Sequence, residues 1–126
     1  MKNHRKLGVT NGRLAAMPSS PNAVSSQTGN RRQYVEPLPM AGNAIETRKR
    51  IIESLRQMGG NTIKSQTDSY IHAVFTSAIM RFKDDVEFYI DEQASLVHFR
   101  SASRVGHSDL GANRRRYKAF KAFYAG

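Results

Sequence analysis

Residues 86–101 decide the fold, and they read Val-Glu-Phe-Tyr-Ile-Asp-Glu-Gln-Ala-Ser-Leu-Val-His-Phe-Arg-Ser. Apolar and polar side chains alternate at both ends of this stretch, which is the pattern of two half-buried strands. A connecting loop at 92–95 keeps the apolar side chains of both strands on one face of the hairpin. This register predicts three cross-strand pairs: Phe88 with Phe99, Tyr89 with His98, and Glu87 with Arg100.

Two earlier segments, at about 62–67 and 69–77, also have strand character and are followed by short polar turns. Short links between consecutive strands imply antiparallel pairing. With 86–91 and 96–101, these segments predict a four-stranded antiparallel meander that has one apolar face.

Two helices flank the predicted meander. Asn43 can cap the first, Glu46 is its capping-box partner, and Gly59-Gly60 ends it. The second runs from about Gly111 to Tyr124, with a cap available at Ser108 or Asp109. We therefore expect a two-layer α+β fold, a four-stranded antiparallel meander with two helices on one face and an irregular N-terminal arm. Four aromatic residues are expected to share its core: Phe75, Phe88, Phe99 and Phe120.

The first 41 residues are rich in turn formers, such as Asn11-Gly12 and the segment Pro18-Ser19-Ser20-Pro21-Asn22. No regular element fits this region well, and residues 1–35 contain six basic residues and no acidic one. We therefore divide the chain into an irregular basic arm and wrapping loop, 1–41, and a single α+β domain, 42–126.

The composition narrows the classes of function. The chain has 126 residues, no cysteine and a net charge of +10. Without cysteine there is no disulfide, thiolate metal site or cysteine nucleophile. The charge favours nucleic acid, acidic proteins or anionic lipid headgroups as non-specific partners. No stretch reaches transmembrane length or resembles a secretory signal, so we expect a cytoplasmic protein.

The candidate site is the strand-to-helix stretch 100–116, which combines hydroxyls, glycines and five arginines. Guanidinium groups and hydroxyls near a helix N-terminus can converge on an anion. We expect non-catalytic binding of a small anion or acidic partner there, without a cofactor. The expected ligand-binding residues are Arg100, Ser101, Ser103, Arg104, Asp109, Asn113 and Arg114. The expected supporting residues are Arg81, Asp84, Asp85, Ser20 and Asn22.

Each feature of this site also has a structural interpretation. Arg100 can pair with Glu87 across the strands, while Asp84-Asp85 can bind Arg81 or Arg104. In that case the residues stabilise the fold and bind no ligand. An enzyme of unknown class using the same polar pocket is a second hypothesis, although no nucleophile–base pair identifies a reaction.

Two further hypotheses depend on other surfaces. His72 and His98, with Glu87 and Tyr89 nearby, would supply enough ligands for a metal ion if the strands align, but metal-ligand spacing is absent from the sequence. The stretch Arg114-Arg115-Arg116, with Lys118 and Lys121, would contact nucleic-acid phosphates. Tyr117 belongs to the packing stripe of that helix, so it offers no stacking platform.

Five motifs occur in a fixed order along the chain: Gly12-Arg13-Leu14, Pro18-to-Asn22, Val24-Ser25-Ser26-Gln27, Arg81-to-Phe88 and Arg100-to-Arg116. Together they resemble the bacterial and plant family known as domain of unknown function 1499. The resemblance spans roughly Gly8 to Tyr124 and implies no established activity. Members of that family often have cysteines where this chain has Met17 and Ala23, so any thiol or disulfide role is lost here.

Overall fold

The protein is described by a computed structural model covering residues 6–18, 22–105 and 111–126. In chain order, the elements of these ranges are β1 (Val9–Thr10), β2 (Arg13–Leu14), β3 (Ala23–Ser25), β4 (Leu38–Pro39), α1 (Ala44–Met58), β5 (Asn61–Gln66), β6 (Tyr70–Thr76), β7 (Lys83–Asp91), β8 (Leu96–Ser103) and α2 (Ala112–Ala125). The α+β class is confirmed. No helix in these ranges has the length and apolar character needed to cross a bilayer.

The main sheet is a meander extended by two short N-terminal strands. β5, β6, β7 and β8 pair in sequence order, each antiparallel to the next. The outer edge of β8 is then covered by β3 at its C-terminal half and by β4 at its N-terminal half. The prediction of four strands is therefore wrong: the sheet has six in the described ranges. An uncovered β8 would expose a long row of unpaired backbone groups, which these strands satisfy.

The predicted register of the central hairpin is confirmed. Phe88 lies opposite Phe99, Tyr89 opposite His98, and Glu87 opposite Arg100. Strand alternation then sends the side chains of β7 and β8 alternately to the face covered by the helices, here called the helix face, and to the opposite, outer face.

Both helices form close to their predicted bounds. Asn43 caps α1, and its side chain accepts from Glu46 N while the Glu46 side chain accepts from Asn43 N, a complete capping box. Gly59 then ends the helix with φ +70°, a conformation that favours glycine. Gly111 occupies the N-cap position of α2. The caps proposed for α2, Ser108 and Asp109, lie outside the described residues.

The four predicted phenylalanines belong to one core between the sheet and the helices. The ring of Phe88 lies 4.7 Å from that of Phe120 and 5.3 Å from that of Phe99, measured between centroids. Ile51 and Leu55 of α1 and Tyr117 and Tyr124 of α2 complete this layer.

The N-terminal region is more ordered than an irregular arm. Val24, Val35 and Leu38 are buried in the main core. The hairpin of β1 and β2 lies over the outer face, where Leu14 N and Gly12 O both bond to the side chain of Gln27. The domain boundary at residue 41 stays a prediction.

We expect Phe88→Ala to lower the free energy of unfolding by about 3–5 kcal/mol, because it removes a fully buried ring that contacts two others. Urea denaturation measures this loss. Phe123→Ala is the matched control, since Phe123 is exposed on α2 and should change stability by less than about 1 kcal/mol. Similar losses in the two variants would contradict the proposed core.

Candidate functional site

The predicted site residues of β8 divide between the two faces of the sheet. Ser101 lies on the helix face with Phe99, whereas Arg100 and Arg104 lie on the outer face. The outer face is not open to solvent, because the segment 6–18 crosses it.

Glu87 is the buried centre of the outer face. It accepts hydrogen bonds from Tyr70 Oη at 2.5 Å, Gly8 N at 2.7 Å and Arg100 Nη1 at 3.2 Å. Burial, and then the hydrogen bond to Glu87, raise the pKa of Tyr70 well above its ordinary value, so its hydroxyl remains a donor. The structural interpretation of the Arg100–Glu87 pair agrees with these contacts.

Asp85 forms a second charged cluster beside the first. Arg104 donates to both of its carboxylate oxygens, from Nε and Nη2, each at 3.1 Å. His72 Nε2 lies 2.8 Å from Asp85 Oδ1. The two contacts hold the Arg104 guanidinium against the carboxylate and stabilise the buried charge.

A cavity of about 230 Å³ lies between the outer face and the covering segment. Its described lining residues are Lys6, Leu7, Ala16, Pro18, Asp85, Arg100, Ala102 and Ser103. Arg100 also donates from Nη2 to Ala16 O at 3.1 Å, which ties the sheet to the far wall of the cavity.

One buried donor of a cavity-lining residue lacks a partner among the described residues. Arg100 Nε has no hydrogen-bond acceptor among the residues that the structure describes, although the whole residue is only 6% exposed. An unpaired buried donor on a charged group is costly, so any acceptor that reached Arg100 Nε would stabilise it.

The polar cluster on the helix face has a structural arrangement. Asn113 accepts from Ser101 Oγ at 2.5 Å and donates to Ser103 Oγ at 2.9 Å and to Asn22 O at 3.0 Å. Asn22 in turn donates to Val105 O. These contacts hold the start of α2 against β8 and the residues before β3.

The arginines of α2 also bind the protein itself. Arg116 pairs with Asp84 at 2.7 Å and lies 4.9 Å from the Phe75 ring centroid. Arg114 donates to the carbonyls of Tyr34 and Arg32. Asp84 was expected to bind Arg81 or Arg104, so its pairing with Arg116 is a finding that the sequence did not suggest.

The structure therefore brings together only part of the predicted site. Arg100 and Asp85 meet at the cavity, and Arg104 bonds to Asp85. Ser103 lines the cavity too, but its hydroxyl bonds to Asn113 on the helix face. Ser101, Asn113 and Asn22 meet on the helix face. The exposed Arg81 belongs to the β6–β7 loop, and Asp109 and Ser20 lie outside the described residues.

Tyr70 and the cavity walls from the 6–18 segment were missed by the sequence reasoning. The Glu87–Arg100 pairing itself was predicted, but opposite-charge pairs also stabilise solvent-exposed sheet faces, so the pairing did not reveal the covering segment.

The proposed metal ligands do not converge. His72 bonds to Asp85, while His98 Nδ1 lies 3.0 Å from Ser26 Oγ. Within the described ranges, no group of three or more histidines and carboxylates has a metal-binding arrangement.

These features define a small α+β domain with a covered, charged sheet face and a cavity of mixed polar and apolar lining beneath the covering segment. A family model described as protein of unknown function (DUF1499) matches residues 13–123. The match covers most of the chain, which therefore belongs to this family, as the ordered motifs indicated. No curated protein matches the chain.

We expect Arg104→Ala to lower the free energy of unfolding by about 1.5–3 kcal/mol, because it removes two charge-assisted hydrogen bonds from the buried Asp85. Chemical denaturation at neutral pH measures the loss. Arg48→Ala is the control, since Arg48 makes an exposed contact with Gln66. The Asp85 cluster has no stabilising role if the Arg104 variant is as stable as this control.

His98 predicts a pH dependence of stability. Burial is the main cause that lowers the pKa of His98 below 6.5, with Arg13 lowering it further and Asp91 opposing. The folded state thus favours the neutral ring of His98. Its contribution to the free energy of unfolding is fully present above pH 6.5, the pKa of the unfolded state, and is lost as the pH falls from that value toward the lower pKa of the folded state.

Urea denaturation between about pH 7.5 and pH 5 should therefore show that wild type loses more stability than His98→Gln, which has no titratable ring. Parallel pH profiles for the two proteins would show that the pKa of His98 is not lowered in the folded state.

Proposed function

We propose that the protein binds a small organic carboxylate in the cavity beside Arg100, without catalysis. The observation that supports this proposal most strongly is the unpartnered Arg100 Nε on a residue that lines the cavity. A carboxylate oxygen that reached Arg100 Nε–H would accept a charge-assisted hydrogen bond. The described residues of the protein supply no acceptor for this group.

The charges around the cavity favour an anionic ligand. Asp85 lines it, but both of its oxygens are occupied by Arg104 and one also by His72. The Arg100 charge is balanced by Glu87. Lys6, exposed at the rim, therefore leaves the lining with an excess positive charge.

The size and walls of the cavity favour a small organic acid over an inorganic anion. Its volume of about 230 Å³ is below the range of roughly 300–1,000 Å³ that drug-sized ligands occupy. Leu7, Ala16, Pro18 and Ala102 supply apolar walls that would contact a short hydrocarbon portion. Phosphate or sulfate would leave these walls unused.

The enzyme hypothesis receives less support. A general acid or base must lie within hydrogen-bond reach of the reacting group and be able to exchange a proton with it. Asp85 is the one acid among the described lining residues, and both of its carboxylate oxygens already accept hydrogen bonds from Arg104.

A thermal-shift titration tests the proposal. Short-chain carboxylates should raise the melting temperature in a concentration-dependent way, whereas sulfate and phosphate at equal ionic strength should raise it less. Ala102→Leu, which fills the cavity, should abolish the effect. Lys6→Gln should weaken apparent affinity about two- to fivefold, because it removes one exposed charge.

Lys118→Gln is the matched control, because Lys118 is an exposed lysine on α2 that does not line this cavity. It should bind like wild type. The proposal fails if no carboxylate stabilises wild type, or if stabilisation is the same in the Ala102→Leu variant.

A further inference from the structure

The β6–β7 loop exposes an unusual amount of apolar surface. Ile79 is 89% exposed and Met80 is 63% exposed at the tip of this loop, and Phe82 is also exposed. Val105 is exposed beside the loop, since the preceding Arg104 N bonds to Lys83 O. Neighbouring apolar side chains that remain exposed in a folded chain often mark a contact surface.

The loop holds these side chains outward in a defined conformation. Ser77 N donates to Phe82 O at 2.9 Å, and Phe82 N donates to Ser77 Oγ at 2.9 Å, which closes the loop at its base. Arg81 has φ +60°, a left-handed conformation that is rare for residues other than glycine. The closed base and this turn keep Ile79 and Met80 away from the core.

The charges at this tip are positive, and no acidic residue of the described ranges forms an ion pair with them. Arg81 and Lys83 are exposed there. The nearest acids in sequence, Asp84 and Asp85, are buried and paired with Arg116 and Arg104. Apolar tips flanked by basic side chains suit an anionic bilayer, where the apolar groups enter the interface and the cations meet phosphate groups.

We propose that the tip of the β6–β7 hairpin, residues 77–83, docks on the surface of an anionic lipid bilayer. Ile79 and Met80 enter the interfacial region, and Arg81 and Lys83 contact lipid phosphates. The tip is a hairpin loop that exposes Ile79 and Met80 at its end, an arrangement that a deformable bilayer can accommodate without a complementary pocket. This association is independent of the cavity beside Arg100.

Ile45 provides an internal comparison. It is 59% exposed at the start of α1, so it resembles Ile79 in residue type and exposure. Its surroundings differ in charge, because Asp68 and Glu92 line the same depression as Ile45. An anionic bilayer should therefore not be bound at this position.

Tryptophan fluorescence gives the direct test, because the chain contains no tryptophan. Ile79→Trp and Ile45→Trp each introduce a single reporter at an exposed position. With phosphatidylcholine vesicles that contain phosphatidylglycerol, the emission of Ile79→Trp should shift to the blue and that of Ile45→Trp should not. No shift at position 79, or equal shifts at both positions, overturns the proposal.

Vesicle sedimentation of proteins without tryptophan separates the apolar and charged contributions. Replacing Ile79 and Met80 together by serine should lower partitioning at least about tenfold. Replacing Arg81 and Lys83 together by glutamine should lower it about fivefold per charge, and only on vesicles with anionic lipid. Ile45→Ser should partition like wild type.

Every variant is checked first for an unchanged melting temperature, since all these side chains are exposed. Absent vesicle binding of wild type at low salt overturns the proposal. So does binding that survives the serine substitutions, since another basic surface would then make the contact. In either case a protein partner becomes the remaining explanation for the apolar tip.

Discussion

The buried ion pair between Glu87 and Arg100 is the interaction on which the outer face of the sheet depends. It joins β7 to β8 at one cross-strand position, and each partner also bonds to the covering segment, Glu87 with Gly8 N and Arg100 with Ala16 O. Removing two charges from water costs several kcal/mol per ion unless further hydrogen bonds satisfy them. Tyr70 and the two backbone contacts supply those bonds. The pair thus requires the segment that covers it.

The two faces of the sheet are therefore stabilised by different interactions. The helix face is a conventional aromatic core, closed near the start of α2 by Asn113 and its partners. The outer face is a layer of paired charges under a short polypeptide cover. Because segment 6–18 meets the sheet at separate points, Gly8 and Ala16, space remains beneath it, and Arg100 Nε is left without an acceptor in the described chain.

Strand alternation was enough to predict much of this arrangement. It specified the pairing of Glu87 with Arg100 and of Phe88 with Phe99, because a one-residue slip would turn every apolar side chain outward. It could not reveal β3 and β4, which have three and two residues and are too short to show a period. Alternation shows which side chains share a face but not what covers that face, so it did not predict the segment 6–18 over the outer face. The predicted site failed to form one pocket because β8 continues to Ser103, so that Arg100 and Ser101, which are neighbours in sequence, lie on opposite faces of the sheet.

The central claim is that Arg100 Nε–H lacks an acceptor in the described chain and gains one when a carboxylate binds. The Nε–H resonance in nitrogen–proton NMR reports this change directly. Arg100→Lys identifies the signal by its loss. On titration with a short-chain carboxylate, we expect this resonance to move downfield, as a proton does on entering a charge-assisted hydrogen bond, and to exchange more slowly with water, while the other arginine side-chain signals stay in place. A resonance that does not move at carboxylate concentrations where those of exposed arginines shift would contradict the account, because Arg100 would then be a structural residue alone.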